Sequence, residues 1–137
     1  MLQISKQVDY AVQFLLSLSN MKEGSYLSAR ECAESHGFSF LFLQKIITKL
    51  RHSGLVAAKK GVSGGYYLCK TPEQISLKSI VESLEGEYAV VPCLQQISAC
   101  KMAKMCKTPS LYAVIQQDIS ATIEKYTLAH MNSMMNK

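Results

Sequence analysis

Three amphipathic helical stretches between Ser5 and Gly54, two short strand-like runs joined by a glycine-rich loop, and a late apolar-periodic stretch from Thr108 predict a mainly α fold with a small β-hairpin wing. In this order the elements make a winged helix-turn-helix followed by a long C-terminal dimerisation helix. Val8, Ala11, Val12, Leu15 and Leu16 recur at helical spacing behind a cap at Ser5, predicting a first helix that ends near Ser19. Ser28-Ala-Arg-Glu31 has the capping-box pattern, in which side chain and backbone satisfy each other's amides, with Leu27 and Cys32 placed as a hydrophobic staple. This second helix should stop at Gly37. A third begins at Ser39, carries Leu43, Ile46, Ile47 and Leu50 on one face and exits at Gly54.

After Gly54 the period changes. Leu55 to Lys59 and Tyr66 to Lys70 read as strands, and the glycines of the Lys60 to Gly65 loop supply the positive φ values of a hairpin. Thr71-Pro72 closes the wing, and Ser76 caps a fourth helix with Leu77, Ile80, Val81 and Leu84, terminated by Gly86. Periodicity is lost from Glu87 to Lys107. Thr108-Pro109 then starts a last helix running to about Met131 or beyond, with Leu111, Val114, Ile115, Ile119, Ile123 and Tyr126 along it. At ~1.5 Å per residue it exceeds ~30 Å, more than one small domain covers. A partner helix and a two-fold homodimer are therefore expected, against the alternative of packing only on its own first helix. Three segments follow: a DNA-binding unit at 1–72, a linking helix and cysteine loop at 73–107, and a dimerisation helix and tail at 108–137.

With 137 residues and 48% hydrophobic content the chain supports one ordinary domain and is too apolar for disorder. No run approaches the ~18 apolar residues of a membrane span, and the N-terminal segment lacks a cleavage pattern, so the cytoplasm is the expected location. The net charge of +5 lies wholly in the first half: residues 1–70 hold nine basic and four acidic side chains, residues 71–137 six of each. No acidic residue falls between Glu34 and Glu73, while Lys45, Lys49, Arg51, Lys59, Lys60 and Lys70 do, the pattern of a polyanion footprint. The outer face of the third helix carries Leu41, Gln44, Lys45, Thr48, Lys49 and His52. Lys59 and Lys60 extend it onto the wing, and Ser28 adds the start of the second helix.

Five cysteines, an odd number in a chain that needs no staples, argue against a disulfide framework. Cys93, Cys100 and Cys106 lie within fourteen residues, among Lys101, Lys104 and Lys107, which would favour ionised thiolates. Soft thiolates select zinc or iron-sulfur centres. The gaps are wider than zinc pairs usually show and no fourth cysteine is near, which favours iron-sulfur while leaving zinc, or three unconnected thiols, open. Cys32, at the staple position, and Cys69, on the second strand, are expected in the core. His36 and His52 are expected to be ordinary exposed histidines.

The opening Met-Leu-Gln-Ile-Ser-Lys-Gln-Val-Asp-Tyr-Ala, the Ser28 to Glu31 cap, the Ser39 to Leu50 helix, Ser53-Gly-Leu-Val56, Gly61-x-x-Gly-Gly-Tyr66 and the three late cysteines together resemble the Rrf2 family of winged-helix regulators. The likeness is to its iron-sulfur branch, which is IscR-, NsrR- or RirA-like, and covers nearly the whole chain. It implies a homodimeric bacterial repressor that binds a palindromic operator in double-stranded DNA. Each subunit would hold a 2Fe-2S or 4Fe-4S cluster through Cys93, Cys100 and Cys106, and nitric oxide, oxygen or cluster loss would change operator affinity. By position, Ser39, Leu41, Phe42, Gln44 and Lys45 stand where the family's recognition helix meets DNA, and Lys60 where a wing arginine often does. Leu41 departs from the usual polar residue. Where IscR-like members place a histidine ligand this chain has Pro109, so the resemblance turns to Asp9 of the partner subunit as fourth ligand, with Glu87 and His130 behind it.

The Gly61 to Gly65 loop lacks the following Lys-Ser/Thr of a phosphate loop, and no paired-carboxylate, Ser-His-Asp or Cys-His constellation stands in a catalytic context, so no enzyme is expected. Two other readings remain: the same regulator with a thiol-redox or zinc switch, and an iron-sulfur carrier with an incidental basic face.

Overall fold

Each of the first four helices in the computed structural model begins at a serine cap. The structure describes residues 3–87, 89, 101, 102 and 104–136, with the side chain of Pro109 left aside. Helix α1, Lys6–Ser19, starts where the Ser5 hydroxyl accepts from the Val8 amide, and it buries Val8, Ala11, Phe14, Leu15, Leu16 and Leu18. Helix α2, Ala29–His36, carries the capping box: the Glu31 amide donates to Ser28 Oγ at 3.0 Å and the Ser28 amide to Glu31 Oε2 at 3.4 Å. Gly37 ends it at φ +69°. Helix α3, Phe40–His52, is capped by Ser39 and turns Leu43, Ile46, Ile47 and Leu50 inward.

The wing is an antiparallel pair, β1 Val56–Lys59 and β2 Gly65–Leu68, in the register Val56 to Leu68 and Lys59 to Gly65. Each strand is one residue shorter than expected, and β2 starts one residue earlier. The wing's glycines supply the expected positive φ and also meet a second need. Gly61 and Gly65 take positive φ values, +121° and +158°, and in addition a Cβ on Gly64 would collide with the Lys59 carbonyl and one on Gly65 would meet the Leu27 carbonyl at 2.7 Å. Space demands the glycine at 64, and space together with handedness the one at 65. The approach lets Tyr66 and Leu27 exchange backbone hydrogen bonds of 2.8 and 3.2 Å, which pin the wing to the loop before α2.

A 3-10 turn at Pro72–Gln74 leads to helix α4, Leu77–Glu85, capped by Ser76 and closed by Gly86. The last helix is not continuous. Helix α5, Thr108–Lys125, stops at Tyr126, and helix α6, Leu128–Met135, starts anew from the cap Thr127, whose hydroxyl accepts from the His130 amide at 3.1 Å. The break has a long-range cause. Leu77 N donates to the Tyr126 carbonyl at 2.8 Å and Leu128 N to the Ile75 carbonyl at 2.9 Å, which turns the chain so that Leu128 enters the core fully buried. Helix α6 then packs on α1, and Asn132 donates to Ser19 Oγ at 2.8 Å.

One apolar core joins α1, α2, α3, α4, β1 and α6. Helix α5 stands apart from it. At 18 residues it spans ~27 Å; it packs on α4, where Lys78 pairs with Glu124 at 3.3 Å, and leaves Leu111 and Val114 each 56% exposed. Among the described residues no helix is long and apolar enough to cross a membrane.

Candidate nucleic-acid interface and thiolate segment

The burial of Leu43, Ile46, Ile47 and Leu50 dictates what α3 offers to solvent. Leu41, Gln44, Lys45, Thr48, Lys49, Arg51 and His52 are all exposed, as the helical period requires. Ser39, also exposed, caps the N-terminal end of this face. Within the face the side chains differ in freedom. The Thr48 hydroxyl donates to the Gln44 carbonyl at 2.9 Å, so it offers a partner only its lone pairs and methyl group. The Lys49 ammonium donates to Gln7 Oε1 and to the Leu84 carbonyl, both on other helices. Phe42 is half-buried, its ring edge on Tyr10 with centroids 5.4 Å apart, while Tyr10 stacks on Phe38 at 3.8 Å. That aromatic stack holds the first turn of α3 against α1.

On the wing, Lys60 is exposed, and the Lys59 ammonium lies 4.9 Å from the centre of the Tyr26 ring, which also meets Tyr67 edge-on at 5.7 Å. Ser28 is half-buried and its hydroxyl accepts within the capping box, leaving the hydroxyl proton for another partner. Sequence reasoning missed Arg30. Its guanidinium lies over the Phe40 ring at 4.6 Å, at the junction of the first turns of α2 and α3. A lone arginine two residues past a cap was the only signal, and the stack that positions it is tertiary.

His36 is committed locally: Nδ1 lies 3.0 Å from the Cys32 carbonyl and the ring stacks on Phe38. His52 is exposed, as expected. Cys32 is fully buried, as expected, and burial pushes its thiol from 9.0 up to about 11. Cys69 is exposed, against expectation. It continues the alternation of β2, in which Tyr66 and Leu68 turn inward, so Tyr67 and Cys69 face out.

Of the three late thiols, Cys93 and Cys100 lie outside the described residues. Cys106 is half-buried at the end of a turn in which its amide donates to the Met102 carbonyl at 2.9 Å, immediately ahead of α5. Its sulfur lies 2.9 Å from the Thr108 hydroxyl, and hydrogen bonds from the Thr108 side chain and then its backbone hold the thiol below its ordinary range. A thiolate-prone sulfur beside a helix start is the donor type that an iron-sulfur centre needs, so Cys106 fits that group. Asp9 is exposed on α1, and both its oxygens accept from Gln13 Nε2 at 3.2 and 3.3 Å. Glu87 borders the cleft between α4 and α5, and His130 is exposed on α6 with its ring 5.2 Å from that of Tyr126. Among the described residues no three potential ligands converge.

Comparison with known proteins gives a consistent result. The family profile described as "Rrf2: Iron-dependent Transcriptional regulator" matches residues 4–133. The HTH-type transcriptional repressor NsrR of Streptomyces coelicolor is 29% identical over 131 residues, covering 95% of this chain and 88% of that one. Among solved structures, CymR, the global cysteine regulator of B. subtilis, superposes with a TM-score of 0.79 at 26% identity over 98% of both chains. T. potens IscR superposes at 0.77 with 27% identity, over 98% of this chain and 88% of that one. The named relatives are transcriptional regulators, a role without catalysis.

Proposed function

Because the chain belongs to the Rrf2 family of transcriptional regulators, we propose that it is a homodimeric repressor whose affinity for a palindromic operator is switched by an iron-sulfur cluster. The unit 1–72 reads the DNA. Ser39, Leu41, Gln44, Lys45 and Thr48 enter the major groove, with Leu41 suited to a thymine methyl. Lys59 and Lys60 of the wing and Ser28 and Arg30 of α2 meet the backbone, and Phe42 holds the groove face in place. The observation that carries this is the exposed face of α3 and the wing, which belong to a stretch free of acidic residues from 35 to 72.

Helix α5 supplies the dimer contact: Leu111 and Val114, with Ile115 at 36% exposure, form an apolar stripe that its own chain leaves open. Cys93, Cys100 and Cys106 would hold the cluster, with Asp9 of the partner subunit as an oxygen ligand. When bound, the cluster supplies a redox- and gas-sensitive centre that nitric oxide, oxygen or iron-sulfur status can alter. The residues of this chain do the rest. Thr108 keeps Cys106 ready to ligate, and an oxygen ligand from Asp9, harder than thiolate, leaves one corner labile.

A second reading is favoured by the likeness to the cysteine regulator CymR together with the exposed Cys69: the same DNA-binding unit with a thiol-redox or zinc switch. Anaerobic purification with absorption spectra and iron, sulfide and zinc assays separates the two. A cluster-bearing protein whose duplex affinity changes on cluster removal, and a Cys93/Cys100/Cys106 triple serine variant that has lost this response, are the expected results. A colourless zinc protein supports the second reading. Cluster transfer to an apo acceptor without duplex binding refutes both.

A further inference from the structure

Lys49 occupies the last turn of α3, on the side that helical spacing assigns to DNA. Its ammonium is spent on two other helices. Nζ donates to Gln7 Oε1 at 3.2 Å and to the Leu84 carbonyl at 3.3 Å. Gln7 Nε2 in turn donates to Glu85 Oε1 at 3.4 Å, and the same oxygen accepts from the Ser5 hydroxyl. One chain of polar contacts therefore joins the start of α1, the last turn of α3 and the last turn of α4, three helices that also pack on one another.

The electrostatics at this junction are directional. Helix α4 has no basic residue in its own last turn, so the cation at its negative end comes from α3. Two residues past Leu84 the chain leaves α4 at Gly86 toward Cys93, and two residues past Gln7 on α1 lies Asp9. Helix α4, which leads into this chain's own cysteine segment, and α1, whose Asp9 would ligate the cluster of the partner subunit, thus converge on a single side chain of the recognition helix.

Resting on the cluster-switched repressor described above, we propose that Lys49 is a positioning residue that couples α1 and α4 to the recognition helix, and that it does not contact phosphate. A shift of α4 at Gly86, or of α1 at Asp9, moves an acceptor of Lys49 and so tilts α3. Two recognition helices in a symmetric dimer must match two half-sites, so a small tilt is felt at both.

The test uses the full chain, reconstituted anaerobically or stripped of its cluster, and a duplex enriched by the wild-type protein from a random-sequence pool. Affinity is measured for both forms across a salt series, for wild type, Lys49→Met, Lys49→Arg, Gln7→Leu and, as comparator, Lys45→Met. Lys45→Met should lower the salt slope by ~0.9 and keep the wild-type ratio of loaded to empty affinity. Lys49→Met and Gln7→Leu should keep the slope, while the ratio falls from a coupling on the order of 5- to 150-fold to within about twofold of one. Lys49→Arg should restore it. A slope lowered by ~0.9 in Lys49→Met makes Lys49 a phosphate contact and overturns the proposal, as does a wild-type ratio that survives in that variant. A wild-type ratio of one removes the cluster switch itself, while the slope still decides where Lys49 acts.

Discussion

Replacing Leu128 by alanine tests the break between α5 and α6. Leu128 is fully buried, held by its own amide on the Ile75 carbonyl at 2.9 Å and by its place in the core shared by α1 and α4. Truncating a leucine in such a site removes its transfer energy and leaves a cavity, at a cost of about 3 kcal/mol. For a chain of this size that lowers the Tm by roughly 10 °C. The assay is thermal and urea denaturation at one fixed protein concentration, because the stability of the proposed dimer would depend on it. Leu111→Ala is the control: at 56% exposure on α5 it should barely change the folding of a subunit but should raise the dimer dissociation constant. Had α5 run on as one straight helix, residue 128 would lie outside the core and its truncation would stay within about 0.5 kcal/mol. A Tm change in Leu128→Ala below about 2 °C, the size of a surface truncation, would refute the docking of α6.

Three further outcomes follow from the same geometry. Arg30→Ala should weaken duplex binding and lower the salt slope by ~0.9, because the guanidinium held over Phe40 stands beside the groove face; an unchanged slope in a salt titration would remove it from the interface. Gly65→Ala should cost about 1–3 kcal/mol, because its Cβ would meet the Leu27 backbone at 2.7 Å, and denaturation of a variant as stable as wild type would contradict the close approach. The Cys32 thiol, raised to about 11 in the fold, keeps its proton where the unfolded chain loses it near 9.0. The folded state then binds more protons, so unfolding free energy should fall as pH rises above about 9, and Cys32→Ala should lack this alkaline loss in urea titrations at pH 7 and 10.

Local signals proved legible. Serines 5, 28, 39 and 76 mark helix starts because a cap needs only its own side chain and an amide three residues on. The apolar stripe of α3 and its basic opposite face follow from the helical period, and the outward turn of Cys69 was available by counting in twos from Tyr66, although the cysteine's chemistry suggested the core. Lys49 was legible as a residue on the outer side but not in its attachment. A lysine reaches several ångströms from its backbone, and which acceptor it finds depends on α1 and α4, more than thirty residues away in either direction. Arg30 was hidden for the same reason, since its partner ring belongs to the next helix.

From residue order alone came the winged helix-turn-helix, the polyanion-facing charge, the trio of late cysteines and the family likeness, all written in spacings of a few residues. Tertiary packing decided the end of α5, the exposure of its apolar stripe, the need for Gly64 and Gly65, and the tie from α3 to its neighbours. Each of those depends on an atom distant in sequence: the Ile75 carbonyl for Leu128, the Leu27 carbonyl for Gly65, the Leu84 carbonyl for Lys49. Short-range hydrogen bonds and periodicity choose the elements, whereas burial and backbone approach between elements choose where they stop and what they touch.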